Sequence, residues 1–226
     1  MAKTKIEWCD ITVNPVVGCS TGCEYCYARN MNNRFKWIDD FSIPQFFPER
    51  LEMLEKIKRK VIFLNSMSDI DYWNFDWLKQ TLDLCENNKS NIYLILTKSW
   101  TGFYCMWPYG KNIRIGRTIN SQVDFEPWVS EHVDYDFISI EPIHEHIKLP
   151  GNLNVKWIIV GAETGNRKDK IIPDKFWIEH LVEQCKKRKI PLFMKNSLVK
   201  IIGEENMIRE YPNFILKIEG KRKYVS

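Results

Sequence analysis

A chain of 226 residues, 44% apolar and 27% charged, carries enough apolar mass for a sizeable core, which excludes the disordered and fibrous classes. It has room for one larger domain, or one domain with a small appendage. The net charge of +4 and a pI near 8.6 permit a polyanionic partner without requiring one. Seven cysteines, an odd number with four inside the first 26 residues, do not suit a disulfide framework. No secretory leader and no apolar run of membrane length is read, so the expected setting is a reducing cytoplasm without membrane contact.

In chain order, the segment from Ile6 to Gly18 is β-rich and runs into a stretch bearing two glycines and three cysteines, Val17 to Tyr27. Ala28, Met31 and Phe35 then recur at helical spacing, so this loop is expected to open a helix. Leu51, Leu54 and Ile57 mark a second helix, with Pro48 in its first turn. Val61 to Asn65 is a continuous apolar run of strand length, followed by Ser66-Met67-Ser68-Asp69 and by a helix carrying Leu78, Leu82 and Cys85. Asn91 to Thr97 is the next buried strand, and an aromatic loop from Trp100 to Tyr109 follows it. Ile113 to Gly116 reads as a short strand, and Val123, Phe125 and Val129 fit a helix. Phe137 to Ile140 and Val155 to Val160 are further strands. Asp174 caps a helix with Phe176, Trp177, Leu181 and Cys185 inward, and Lys186 to Lys189 suit the negative end of its dipole. Pro191 to Met194 is the last strand, and the basic groups between Lys217 and Lys223 read as a solvated end.

Strands and helices thus alternate about six or seven times, and the strands are apolar on both faces, the pattern of a parallel sheet covered by helices. An open doubly wound sheet and a partial (β/α)6-type barrel both fit. In either, ligands sit beyond the carboxyl ends of the strands. The polar residues at those ends are therefore the candidate site: the cysteine loop, Ser66 to Asp69, Thr97-Lys98, Arg117 to Asn120, Glu141, Glu163-Thr164 and Lys195-Asn196.

Cys19, Cys23 and Cys26 are spaced three and then two residues apart, and Gly18 and Gly22 allow the loop to fold tightly. Three thiolates suit a cubane iron–sulfur cluster with one iron left open. A structural zinc site needs four ligands, usually as two pairs, and no second Cys/His pair is near. A redox Cys-x-x-Cys at Cys23 and Cys26 leaves Cys19 unexplained.

With Tyr25 as the aromatic, Cys-x3-Cys-x-aromatic-Cys at the end of a first strand resembles the radical S-adenosylmethionine (radical SAM) superfamily. Lys5-Ile6-Glu7-Trp8, Asn14-Pro15, Gly18-Cys19, Tyr27-Ala28, Ser66 to Asp69, Leu96-Thr97-Lys98, Ser139 to Pro142, Ile159 to Gly165 and Phe193-Met194-Lys195 resemble a phage-associated family of unknown function within it. The likeness runs from Lys5 to about Lys195. Cys9 stands where that family usually has Thr, and Asn196-Ser197 where it usually has Gln-Trp.

The resemblance implies a partial TIM-like barrel over residues 1–197 with a C-terminal extension, 198–226, packed on it. It implies a [4Fe-4S] cluster on Cys19, Cys23 and Cys26 and S-adenosyl-L-methionine as cofactor, cleaved reductively to a 5′-deoxyadenosyl radical that abstracts hydrogen from a substrate. A flavodoxin- or ferredoxin-type protein is implied as the low-potential electron donor. Tyr25, Ser66, Ser68, Asp69, Lys98, Thr118, Asn120, Glu141 and Glu163 are the expected cofactor-binding residues. Asp69 doubles as a possible cap before Trp73, and Asn120 or Ser121 as a cap for the next helix. Glu141 and Glu163 end buried strands and need cationic partners, for which Lys98 and Lys195 are available. Cys105 in the aromatic loop is a candidate hydrogen-atom donor. The expected substrate is a nucleic acid or nucleotide undergoing modification or repair, with a peptide or small metabolite as the alternative. An iron–sulfur redox or regulatory binding protein without radical turnover is the rival class.

Overall fold

A computed structural model of the chain describes residues 4–99, 109–126 and 135–219. It divides into two compact units, Met1–Ile115 and Gly116–Ser226. Both are mixed α/β with parallel strands.

In the first unit the strands β1 (Ile11–Thr12), β4 (Val61–Phe63) and β5 (Ile92–Thr97) pair in parallel, in the order β1-β4-β5. Ile11 lies opposite Ile62, and Ile62 opposite Tyr93. β4 and all but Leu96 of β5 are buried on both faces, as parallel strands require, while Ile11 and Thr12 of β1 are half-buried. Trp8 packs on Phe63 with ring centroids 4.7 Å apart. The β-rich opening segment is not one strand. It breaks at Asn14-Pro15, because proline has no N–H to give a ladder. After the break, β2 (Val16–Val17) turns away and pairs antiparallel with β3 (Gln45–Phe46). The cysteine loop therefore follows β2, not the first parallel strand.

Three helices complete this unit. α1 (Tyr27–Phe35) begins at the end of the cysteine loop, α2 (Glu49–Lys56) begins after Pro48, and α3 (Phe75–Asn87) is capped by Asn74, whose side chain accepts from Trp77 N at 2.9 Å. The inner residues of α2 and α3 are the expected Leu51, Leu54, Leu78, Leu82 and Cys85. α1 differs. Its buried residues are Ala28 and Asn32, while Met31 and Phe35 face outward. Asn32 takes the inward position because its amide holds Ile38 at both ends: Nδ2 donates to Ile38 O at 2.9 Å, and Ile38 N donates to Oδ1 at 3.1 Å.

In the second unit the order is β6-β7-β8-β9, all parallel. β6 (Ile113–Ile119) enters from the first unit and is longer than the expected four residues. β7 is Phe137–Ile140, β8 is Ile158–Val160 and β9 is Leu192–Met194. Of the helix expected over 123–129, a 3-10 turn, Gln122–Phe125, is seen, and 127–134 lie outside the described residues. α4 (Lys175–Arg188) is capped by Asp174 and ends in the expected basic turn. Its inner face is Ile178, Leu181 and Cys185, and Phe176 is exposed rather than inward. Trp157 is fully buried among Phe137, Phe193 and Tyr211, and its Nε1 donates to Glu210 O at 2.9 Å.

Beyond β9, short helices α5 (Val199–Ile202) and α6 (Asn213–Glu219) flank a strand-like return. Met194 N donates to Ile208 O at 2.8 Å and Glu210 N to Leu192 O at 2.9 Å, antiparallel to β9. Among the described residues no helix is long and apolar enough to cross a membrane.

Candidate functional site

The loop between β2 and α1 is held by backbone bonds at its start and by a thiol at its end. Gly18 N donates to Met67 O at 3.0 Å and Cys19 N to Phe41 O at 2.7 Å. Gly18 has φ of +111°, and an added Cβ would lie 2.8 Å from Pro44 Cα, so only glycine fits. Cys26 is the N-cap of α1, its Sγ accepting from Arg29 N at 3.4 Å. Cys19 Sγ lies 3.1 Å from Thr21 Oγ1. Cys19, Cys23 and Cys26 are free and half-buried, whereas Cys9, Cys85 and Cys185 are buried. Cys19 and Cys26 pack on an apolar cluster of Val17, Ala28, Ile38, Phe41 and Met67. Burial pushes the Cys19 thiol above its ordinary range, and the charges of Asp69 and Cys26 push the same way, against the hydrogen bonds from Thr21. Among the described residues no three His, Cys, Asp or Glu side chains are grouped to hold a metal ion.

The loop beyond β4 is stitched to the cysteine loop and to β5. Tyr27 Oη donates to Ser66 O at 2.6 Å, and Ser66 Oγ donates to Asn14 Oδ1 at 3.0 Å, an oxygen that also accepts from Met67 N at 3.1 Å. Ser68 Oγ accepts from Trp73 Nε1 at 3.0 Å. Asn65 continues the ladder past β4: its Oδ1 accepts from Leu96 N at 3.0 Å and its Nδ2 donates to Leu96 O at 2.5 Å. Asp69 is buried and combines a turn cap with a cross-link to β5. Oδ1 accepts from Asp71 N at 3.1 Å and from Thr97 Oγ1 at 2.7 Å, and Oδ2 accepts from Lys98 N at 2.9 Å. Burial raises its pKa in spite of these donors. Lys98 Nζ lies 5.3 Å from the centre of the Tyr25 ring, a cation–π contact that joins the end of β5 to the cysteine motif. Tyr25, Ser66, Ser68, Asp69 and Lys98 thus belong to one network around the cysteine loop. Cys105 lies outside the described residues.

The strand ends of the second unit form their own cluster. Thr118 does not follow β6 but lies inside it, opposite Ser139. Asn120 Nδ2 donates to Pro142 O at 2.8 Å, and Ser121 with Asp124 makes the capping box of the next turn. Glu141 pairs with Lys195 as expected. The pair lies over Gly161, where an added Cβ would come 3.1 Å from Lys195 Cδ and 3.4 Å from Glu141 Cδ. Ala162 N is held by Ser197 Oγ at 3.0 Å. The partner of Glu163 is neither lysine. It is Arg167, whose Nε and Nη2 each donate to one carboxylate oxygen at 2.8 Å, with His144 Nε2 at 4.0 Å. These bonds from Arg167 hold the Glu163 carboxyl below the ordinary carboxylate range.

Asn14, Asn65 and Arg167 carry much of this order without being singled out as site residues. Asn65 had a legible signal, a polar amide directly after a buried strand. Arg167 had one too, a guanidinium four residues beyond Glu163.

A search of curated proteins finds an uncharacterized protein of Methanocaldococcus jannaschii, MJ0683, 28% identical over 194 residues, covering 81% of this chain and 68% of the relative. No solved structure matches. Residues 3–204 match the family described as "Protein of unknown function (DUF5131)", and the chain belongs to that family.

Proposed function

We propose that the chain is a radical SAM enzyme in which Cys19, Cys23 and Cys26 hold a [4Fe-4S] cluster. The observation that carries this reading is the loop itself: three free, half-buried thiols on one loop fastened at Gly18 and Cys26 and backed by an apolar cluster. The donor set fits the group. Soft thiolates are the ligands iron–sulfur clusters take, and three of them leave one iron for a non-protein ligand. A cubane places its thiolates on separate irons, so it needs a wider spread than a single ion.

Held by Cys19, Cys23 and Cys26, the cluster would supply one-electron reduction of S-adenosyl-L-methionine and so hydrogen-atom abstraction from the substrate. The chain's own residues bind and orient. Tyr25 and Lys98 flank the cysteine motif, Ser66 and Ser68 present the loop beyond β4, and Asp69 fixes the start of the loop beyond β5. Thr118, Asn120, Glu141 and Glu163 are the groups the second unit would offer to the cofactor. Arg167 neutralises the buried carboxylate of Glu163 and Lys195 the half-buried one of Glu141, charges that would otherwise be costly beside a cofactor. On this reading the parallel strands belong to a partial (β/α)6-type barrel, the protein is cytoplasmic, and an acidic flavodoxin- or ferredoxin-type protein supplies the electron. The substrate we propose is a nucleic acid or nucleotide, consistent with the net charge of +4.

The test is anaerobic reconstitution with iron and sulfide. Expected are a brown protein absorbing near roughly 400 nm, and 5′-deoxyadenosine with methionine formed from S-adenosyl-L-methionine under dithionite. Both should be lost in Cys23→Ala. Colour without 5′-deoxyadenosine would instead mean a redox or regulatory iron–sulfur protein, and a colourless protein carrying zinc would overturn the cluster.

A further inference from the structure

α1 is the helix that leaves the cysteine loop, and its outer face is unusual. Tyr27, Met31 and Phe35, at i, i+4 and i+8, are 48%, 39% and 52% exposed, and Trp37 just beyond is 40% exposed. Large apolar side chains clustered on a surface mark an interaction site. The aromatic ones are already ordered. Phe35 and Trp37 stack with centroids 5.3 Å apart and planes 22° apart, and Arg34 Cζ lies 5.1 Å from the centre of the Phe35 ring. α1 contains no acidic residue, and Arg34 and Lys36 bracket the exposed phenyl ring. Of the acids nearest in sequence, Glu24 precedes the helix at the Tyr27 end, and Asp39 and Asp40 lie beyond buried Ile38, with Asp40 turned onto Ser42 N and Oγ at 2.8 and 2.7 Å.

We propose that this face is a platform for a single-stranded nucleic acid. Flat rings in line with cations are what such a strand needs: bases stack on the aromatics whatever their sequence, and the backbone phosphates meet the cations. A base lying on the exposed indole of Trp37 extends the column of Arg34, Phe35 and Trp37. The outward turn of Met31 and Phe35 then has a use. It keeps apolar surface beside the start of the loop that carries Cys26, so a bound strand runs along the helix that begins at the proposed cluster. The inference rests on the reading of the substrate as nucleic acid, but the binding step is separable from radical chemistry.

The experiment is fluorescence anisotropy of a labelled single strand of about twenty nucleotides, in DNA and RNA forms, titrated with the full chain. Expected is saturable binding that prefers single strand to duplex. The plot of log K against log salt should slope by about −0.7 per phosphate neutralised, hence about −1.4 for Arg34 and Lys36 together. Trp37→Ala and Phe35→Ala should each weaken binding about 5- to 100-fold, the loss of one stacked base. Arg34→Gln should flatten the salt slope while leaving the circular-dichroism spectrum and the yield of 5′-deoxyadenosine in the absence of substrate unchanged. No binding to either strand, or binding that the two aromatic variants leave intact, overturns the platform. Self-association abolished by Phe35→Ala also overturns it, by making the face a contact between copies. If strand binding holds but no 5′-deoxyadenosine forms, the radical reading fails and the platform stands.

Discussion

Gly18 gives the sharpest test of how the cysteine loop is built. Two independent penalties act on Gly18→Ala. The first is conformational: φ of +111° lies outside what a side-chain-bearing residue adopts, and holding one there costs about 1–3 kcal/mol. The second is steric. The new Cβ would meet Pro44 Cα at 2.8 Å and Ile43 O at 3.1 Å. Both are backbone atoms, so no rotamer change relieves the overlap, and such overpacking costs about 1–3 kcal/mol more. Gly22 supplies the control. It too has positive φ, +76°, but the nearest atom to its added Cβ is Ser20 O at 4.0 Å, so Gly22→Ala bears the conformational penalty alone. In urea unfolding followed by circular dichroism, Gly18→Ala should lose about 4 kcal/mol and Gly22→Ala about 1–2 kcal/mol. In thermal melts these correspond to falls of about 10 °C and about 4 °C. Equal losses for the two variants would refute the claim that the start of the cysteine loop is pressed against the 43–44 backbone.

Three further outcomes are expected. Asn65→Ala leaves the Leu96 N–H and C=O without their side-chain partner and should cost about 3 kcal/mol. Amide hydrogen exchange should show Leu96 opening faster while the α3 amides keep their protection. Arg167→Ala strands the carboxylate of Glu163 and should cost about 2 kcal/mol at neutral pH. Because the folded Glu163 pKa is depressed, the stability it contributes is present above its ordinary value of 4.5 and is lost as pH falls through the folded value. The gap between parent and variant should therefore close in acid, and a gap that is constant with pH would contradict the pairing. Asp69 has the opposite sign. Its folded pKa is raised, so its contribution to stability declines as pH rises from the ordinary value of 3.8 through the raised one. Asp69→Asn removes that dependence, and urea midpoints measured over about pH 4–7 should converge toward or cross those of the parent as pH rises. Parallel curves would show that burial does not govern this carboxyl.

β4, β5, β7, β8 and β9 were legible because each is a short, mainly apolar run, and each lies inside the run read for it. The end of β6 was not. Arg117 and Thr118 read as the polar residues beyond a strand, yet Gly116 to Ile119 continue the ladder against Phe137 to Ile140. Tertiary pairing overrode local polarity there. The inward face of α1 was missed for a related reason. Helical spacing offers Met31 and Phe35, and only the three-dimensional fit of the Asn32 amide to both polar groups of Ile38 decides against them. In the site, Cys19, Cys23 and Cys26 could be read from spacing, and Asp69 as a turn cap, whereas its burial and its bonds to Thr97 and Lys98 appear only in the fold. The Glu163–Arg167 pair was not read, although Arg167 stands only four residues beyond Glu163, because the loop path that brings the two together is set by the fold and not by the spacing alone.

Cys26 shows why the spacing of the motif and the start of the helix belong together. A helix needs an acceptor for its first free N–H groups, and Ser, Thr, Asp or Asn usually provides it. Here a sulfur does, taking the N–H of Arg29. An N-cap residue has extended backbone, as Cys26 has with φ of −66° and ψ of 103°, and its own N–H donates back to Cys23 O at 3.2 Å. A third cysteine placed one turn later would sit on the helix and leave the loop. Tyr27 then occupies the first helical position, and its hydroxyl bonds to Ser66 O, so the same residue pair that ends the motif ties it to the loop beyond β4. The helix start and the loop beyond β4 thus fix where Cys26 stands.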